Sequence, residues 1–190
     1  MNLTAIILAG GKSTRMGTDK ALLNMNGKTL LEIVIEICQP VCSSIIISSN
    51  NPAHGIYGYP VIADEQKDCG PIGGVYTCLK QSLTNWNFII SVDTPFVTPN
   101  FIQFLLQHSG NFDAVIPEYS GKTEPLIALY NKSCLPVIEK QIQLQLFKIQ
   151  HLVALLNTEF VESSEWMEKT PMLFNNLNQP EDFNTVNKIL

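Results

Sequence analysis

Residues 4–20 read TAIILAGGKSTRMGTDK. An apolar run rich in β-branched residues ends at Leu8, two glycines follow, and Lys12, Arg15 and Lys20 come soon after. Gly11-Lys12-Ser13 has the form of the end of a P-loop. That motif needs a further glycine five positions before its G-K-[ST] glycine. The required place is Ile6, still inside the apolar run, and a branched side chain cannot take up the open turn that wraps a β-phosphate. Without that glycine, FIISVD at 88–93 gains no support as a Walker B strand. The dinucleotide fingerprint G-x-G-x-x-G also fails, because Gly10 and Gly11 are adjacent and no third glycine follows in step. What remains is a buried strand running into a glycine-opened, basic loop.

Outward from this strand, the same alternation recurs. TAIIL (4–8) reads as a buried strand, and residues 28–42 carry Leu30, Leu31, Val34, Ile37, Cys38 and Val41 at helical spacing. SIIIS (44–48) predicts a second strand and PVIA (60–63) a short third. Residues 71–83 predict a helix with Pro71 in its first turn, and FIISV (88–92) the next strand. Thr98-Pro99 opens a helix to about His108. DAVIPEY and PLIALYN flank Ser120-Gly121 and predict a ribbon with a turn. Residues 132–141 and 146–156 read as helical, and Pro180 as the start of a last helix. Strand–helix–strand alternation predicts a mostly parallel sheet covered on both faces, a Rossmann-like three-layer α/β sandwich. The expectation is one domain over residues 1–190, with no repeat, linker or low-complexity tract.

Composition sets outer bounds. A chain of 190 residues buries roughly 70% of its extended surface and needs no staples. The net charge of −5 argues against a general nucleic-acid binder but not against a small anion held by a few placed cations. The five cysteines, Cys38, Cys42, Cys69, Cys78 and Cys134, form no C-x-x-C pair. They read as mostly small buried residues rather than as a disulfide framework or zinc site, with Cys69 placed for exposure beside a glycine-rich loop. No apolar run reaches the ~18 residues of a membrane helix, and no basic leader opens the chain, so a cytoplasmic protein without membrane contact is expected.

In open α/β sheets ligands bind beyond the carboxyl ends of the strands. The loops after Leu8, Ile47, Ile62 and Val92 should therefore gather at one edge, bringing Gly10, Gly11, Arg15, Lys20, Ser48, Asn50, Asp64, Gly70 and Asp93 together. Two glycines let backbone N–H groups approach a ligand. Ser13, Arg15 and Lys20 add donors and positive charge, with arginine as a planar fork and lysine as a mobile point charge. That combination suits a triphosphate better than a plain solvated loop. Asp93, at the tip of an apolar strand, reads either as a Mg²⁺ ligand shared with phosphates or as a turn aspartate before Thr94-Pro95, and the adjacent cradle favours the metal. Asp64 offers two acceptor oxygens to the adjacent N–H donors of guanine, or is simply one charge among Glu65, Lys67 and Asp68. Gly73 and Gly74 fit either a base lying on backbone or close helix–sheet packing. His54, His108 and His151 have no partner at ligand spacing and read as surface or core filling. Trp86 and Trp166 read as packing residues, and no G-x-S-x-G elbow is present.

LAGGKSTRMGTDKALL (8–23) resembles the signature of the molybdenum cofactor guanylyltransferases, which have the nucleotide-diphospho-sugar transferase-like fold. The resemblance runs through nearly the whole chain, in GKTLLE, DCGPIGG, VDTPFV, EPLIALYN and NLNQPEDF, in the family's order. It implies that GTP binds with Mg²⁺ at the sheet edge and that the terminal phosphate of molybdenum-molybdopterin attacks the α-phosphorus. Pyrophosphate leaves and a guanine dinucleotide form of the cofactor remains. By the same resemblance Lys20 and Arg15 face the phosphates and Asp93 holds the metal. Leu8, Ala9, Gly10 and Gly11 line the nucleotide with Ser48 and Gly70, and Asp64 reads guanine. Asn176 and Asn178 hold the pterin. The resemblance also implies transient contacts with a protein that delivers molybdopterin and a molybdoenzyme that receives the product. Two departures stand out. Ser48 replaces the asparagine of many relatives, and QLQLFKIQ (143–150) lacks their glycine and carries Lys148 near the position of their arginine, on the pterin side.

Three alternatives remain in view. A sister enzyme using CTP tends to read A-A-G where this chain has Leu8-Ala9-Gly10-Gly11, and cytosine lacks the adjacent donor pair that Asp64 matches. A non-catalytic nucleotide sensor has no need of a metal carboxylate beside Lys20. A P-loop NTPase is disfavoured at Ile6.

Overall fold

The computed structural model describes residues 2–10, 19–66 and 68–177. The chain opens with β1 (Leu3–Leu8), every residue of which is buried. A small hairpin of β2 (Asn24–Met25) and β3 (Lys28–Thr29) precedes α1 (Leu30–Cys38), followed by β4 (Ser44–Ser48) and β5 (Val61–Ile62). Next come α2 (Pro71–Gln81), β6 (Trp86–Ser91), α3 (Pro99–Gln107), β7 (Ala114–Tyr119), β8 (Lys122–Thr123) and β9 (Ile127–Asn131). The described part closes with α4 (Leu135–Gln143), α5 (Ile149–Val153), β10 (Thr158–Glu162) and α6 (Ser164–Lys169).

The main sheet runs β10-β7-β9-β6-β1-β4-β5, with β8 beside β7. β1, β4, β5 and β6 are mutually parallel, and β9 runs antiparallel to both β6 and β7. Successive side chains of a strand point to opposite faces. Leu3, Ala5 and Ile7 therefore join Phe88 and Ile90 in a core under α1 and α3. Ile6, Leu8 and Ile89 join a second core under α2, α4 and α5. Both faces of the central strands are covered, which is why they read as unbroken apolar runs rather than as alternating ones.

Local chemistry explains the element ends. Thr29 and Glu32 form a reciprocal capping box at α1, with Glu32 N donating to Thr29 Oγ1 at 3.2 Å. Thr98 accepts from Phe101 N at 3.3 Å and Pro99 begins α3, as the sequence predicts. Asn26 and Gly27 have φ of 54° and 85°, the two-residue turn that joins β2 to β3. Lys28 and Thr29 are taken up by β3, so the helix expected over 28–42 runs only from Leu30 to Cys38.

Other boundaries move as well. The ribbon expected across Ser120-Gly121 closes onto the two residues of β8, and β9 then inserts between β6 and β7. The 132–141 helix divides into a 3-10 turn at Lys132–Cys134 and α4. The 146–156 helix is confined to α5, and β10 was not anticipated. Cys69 is buried, against the expectation of exposure, as are Cys38, Cys78 and Cys134, and all five cysteines are free thiols. Trp86 is buried, and Trp166 packs edge-on to Phe101 with ring centroids 5.3 Å apart. The helix expected from Pro180 lies outside the described residues. Among the described residues, no helix is long and apolar enough to cross a membrane.

Candidate active site

The register puts the ends of four strands level. Leu8 pairs with Ser48 and with Ser91, and Ser48 pairs with Ile62. The ladder continues one step beyond, with Ala9 N donating to Ser48 O at 3.0 Å, Ser49 N to Ile62 O at 2.9 Å and Val92 N to Leu8 O at 3.1 Å. Because β9 is antiparallel, its amino end sits at this same edge, with Ile127 opposite Ile90. Glu124, Pro125 and Leu126 therefore join the edge from a strand that runs the other way.

Lys20 stands on a 3-10 turn, Lys20–Leu22, capped by Asp19, whose Oδ1 accepts from Ala21 N at 3.1 Å. Its Nζ lies 2.6 Å from Asp93 Oδ2. Asp93 sits in a tight turn beyond β6. Thr94 N and Oγ1 both donate to Ser91 O, at 3.2 Å and 2.7 Å. Ser91 Oγ donates to Asp93 Oδ1 at 2.5 Å, and Leu177 N donates to the Asp93 carbonyl at 2.9 Å. The last contact carries Asn176 to the site from the far end of the described chain.

A second group forms around the start of α2. A Cβ built on Gly74 would collide with Ser48 Oγ and stand 3.3 Å from Asp64 Oδ1 and 3.4 Å from Leu8 Cδ2. Ser48 Oγ donates to Asp64 Oδ1 at 3.4 Å, and Asp64 N donates to Asn50 Oδ1 at 3.2 Å. The absent side chain of Gly74 thus makes the room in which Leu8, Ser48 and Asp64 meet. Gly70 has φ of 62°, a conformation that favours glycine, and turns the chain into α2 ahead of Pro71. Partial burial raises the Asp64 carboxyl pKa above the ordinary aspartate range, opposed by the hydrogen bond from Ser48.

A cleft of about 210 Å³ opens beside Asp93, lined in part by Ser91, Thr94, Glu124, Gln150 and Asn176. Burial raises the Glu124 carboxyl pKa, opposed by the charge of Lys122. Asn176 is one of the sequence-derived candidates and forms part of the wall. Lys148, also a candidate, is an exposed residue at the head of α5, whose next two residues, Ile149 and Gln150, line the cleft in its place. Arg15, Gly11 and Asn178 lie outside the described residues.

Sequence reasoning passed over Glu124 and Gln150. Glu124 carried a signal, since it opens EPLIALYN, whereas Gln150 has none in its own neighbourhood. It also passed over Asp19, which lies directly beside Lys20; His54, expected as surface or core filling, is fully buried.

The donor set around Asp93 is oxygen-rich and hard. Magnesium is commonly held by one or two carboxylates plus substrate phosphates, so a single partly exposed aspartate at the strand edge fits it.

Comparison with known proteins identifies the family and the fold. The model of the MobA-like NTP transferase domain matches residues 5–158. A probable molybdenum cofactor guanylyltransferase of Carboxydothermus hydrogenoformans is 33% identical over 193 residues, covering 99% of this chain and 96% of that one. The crystal structure of molybdopterin-guanine dinucleotide biosynthesis protein A from Archaeoglobus fulgidus superposes with a TM-score of 0.84 at 26% identity, over 98% and 97% of the two chains. The 2-C-methyl-D-erythritol 4-phosphate cytidylyltransferase of Thermus thermophilus shares the fold, with a TM-score of 0.73 at 16% identity over 100% and 98% of the chains. With its strand ends, glycine-relieved pocket and lysine–aspartate pair arranged on a nucleotidyltransferase fold, this chain belongs to the family of MobA-like NTP transferases, among the molybdenum cofactor guanylyltransferases.

Proposed function

We propose that the protein transfers GMP from GTP to the terminal phosphate of molybdenum-molybdopterin, forming the guanine dinucleotide cofactor and releasing pyrophosphate. The observation that carries this reading is the approach of Lys20 Nζ to Asp93 Oδ2, at 2.6 Å, between a glycine-opened loop and a cleft. An acceptor phosphate oxygen bonds to the α-phosphorus while the bond from that phosphorus to the β-phosphate oxygen breaks. Such transfer depends on alignment and on neutralising spread negative charge. Asp93, with phosphate oxygens, would hold Mg²⁺, which would supply part of that neutralisation. Lys20 supplies the rest as a mobile cation, exchanging its carboxylate partner for phosphate oxygens. Arg15 and the Gly10-Gly11 backbone extend the grip.

Asp64 accepts from the N1–H and exocyclic amine of guanine, and Gly74 leaves the base room against Leu8 and Ser48. The acceptor occupies the cleft beside Asp93, where Asn176 and Gln150 offer amide donors and acceptors. Cytosine presents no adjacent donor pair to Asp64, so a CTP-using activity is the weaker reading. The deciding experiment measures pyrophosphate release with molybdenum-loaded molybdopterin, comparing GTP with CTP under Mg²⁺. A clear GTP preference is expected, and equal rates with the two nucleotides would overturn the assignment.

A further inference from the structure

His54 is fully buried on the 3-10 turn Pro52–Tyr57 and takes no part in the chemistry above. Its Nε2 lies 3.0 Å from Asp19 Oδ2. The same oxygen accepts from Asn51 Nδ2 at 2.7 Å, while the other Asp19 oxygen caps Ala21 N at 3.1 Å. One carboxylate therefore ties the end of the loop after β1 to the turn after β4, one residue before Lys20. The turn is itself held in place, since Tyr57 OH and Thr29 Oγ1 lie 2.6 Å apart at the head of α1.

A carboxylate facing His54 can only accept, so the network assigns the hydrogen to Nε2. His54 Nδ1 is buried and has no hydrogen-bond partner among the described residues. An unmet buried polar atom costs stability. An apolar side chain of similar size would fill the space without that cost, but it could not donate to Asp19. The gain from histidine is therefore sought at Asp19, and what Asp19 adjoins is Lys20. A lysine reaches its target through a long flexible stem, so its ammonium is only as well aimed as the backbone beneath it.

We propose that His54 is a positioning residue for the phosphate grip: by donating to Asp19 it sets the backbone from which Lys20 reaches the nucleotide. This rests on the nucleotidyl-transfer reading of the site, and two separate measurements keep the two claims apart. Calorimetric binding of GTP and of guanosine, which has no phosphates, tests the grip. Pyrophosphate release from the wild-type protein tests the reaction.

His54→Leu should weaken GTP binding and lower kcat/KM for GTP by roughly 10- to 100-fold, the worth of one hydrogen bond to a charged group. Guanosine binding should stay within about twofold of wild type, because the base pocket is built from other residues. His54→Gln, whose amide also donates, should recover most of the loss. Equal losses for GTP and guanosine, or equal behaviour of the Leu and Gln variants, would reduce His54 to a packing residue and overturn the proposal. If His54→Leu fails to fold in a thermal melt, Asp19→Asn is tested instead. It keeps the size and the acceptor for Ala21 N but puts an amide where two donors converge, and the same split between GTP and guanosine is expected. Wild-type protein that binds GTP with this pattern yet releases no pyrophosphate would overturn the reaction and leave the grip standing.

Discussion

Lys20 and Asp93, 73 residues apart in sequence, meet at 2.6 Å where the loop after β1 faces the tip of β6. Neither side chain is sealed away, with 18% and 17% of their side-chain surfaces exposed. A pair held this close, and still reachable by solvent, can exchange partners when a more highly charged ligand arrives. In the proposed reaction, magnesium at Asp93 and phosphate at Lys20 would satisfy both groups better than they satisfy each other, and the pair would be the resting arrangement of those charges.

Removing either member should separate the two roles. Asp93→Ala is expected to abolish Mg²⁺-dependent pyrophosphate release while leaving GTP binding measurable by calorimetry. Lys20→Ala is expected to lower kcat by about 10²- to 10³-fold, the scale of one lost electrostatic contact to a transition state. Full turnover in Asp93→Ala would remove the metal from that carboxylate, and an unchanged rate in Lys20→Ala would remove the lysine from the phosphates.

Gly74 is held to its size by Ser48. Gly74→Ala places a methyl against Ser48 Oγ and within 3.3 Å of Asp64 Oδ1. It should cost about 1–3 kcal/mol in denaturant unfolding, as overpacking does, and should weaken GTP binding. Adding Ser48→Ala removes the colliding oxygen and should return most of the stability. A double variant no more stable than Gly74→Ala would show that the strain lies elsewhere.

Asp64 carries a pH signature. Burial raises its folded pKa above the unfolded value of about 4, so the native state holds the proton more tightly than the unfolded chain does. Its contribution is neutral below the unfolded value. It turns destabilising as pH rises from there through the raised folded value. Asp64→Asn should therefore gain stability over wild type at pH 7 and lose that advantage near pH 4, read as the denaturant midpoint at the two pH values. The same variant presents one acceptor and one donor group to guanine's two donors, and its preference for GTP over CTP should fall at least about tenfold. A midpoint difference independent of pH would rule out this account of Asp64.

The cleft predicts a selective effect at Asn176. Asn176→Ala should raise KM for molybdenum-molybdopterin about tenfold, one or two polar contacts' worth, with KM for GTP unchanged. Steady-state kinetics with each substrate varied in turn decides it, and a rise confined to GTP would move the acceptor out of this cleft.

Much of this was legible without coordinates. TAIIL, SIIIS and FIISV are apolar on both faces, a pattern that only a strand covered on both sides tolerates. The positions of Lys20 and Asp93 after such strands, and of Asp64 after the short edge strand β5, then follow from the rule that parallel strand ends share an edge. The Asn26-Gly27 turn is equally local, and the helix expected from residue 28 starts later only because Lys28 and Thr29 pair back across that turn as β3. β10 was hidden differently. Thr158–Glu162 has one buried residue, Val161, in a polar edge strand, so its apolar content is too low to mark it.

The alternation of strands and helices, the family, and the loop that carries glycines and cations are written in the order of residues, because burial period and backbone freedom are properties of neighbours in the chain. That β9 runs backward between β6 and β7, that Glu124 and Asn176 share a cleft with Asp93, and that His54 reaches Asp19 emerge with the three-dimensional fold. Each of these joins groups far apart in the chain, where pairing is chosen by which remote surface satisfies a buried strand or polar atom, and no local pattern records that choice.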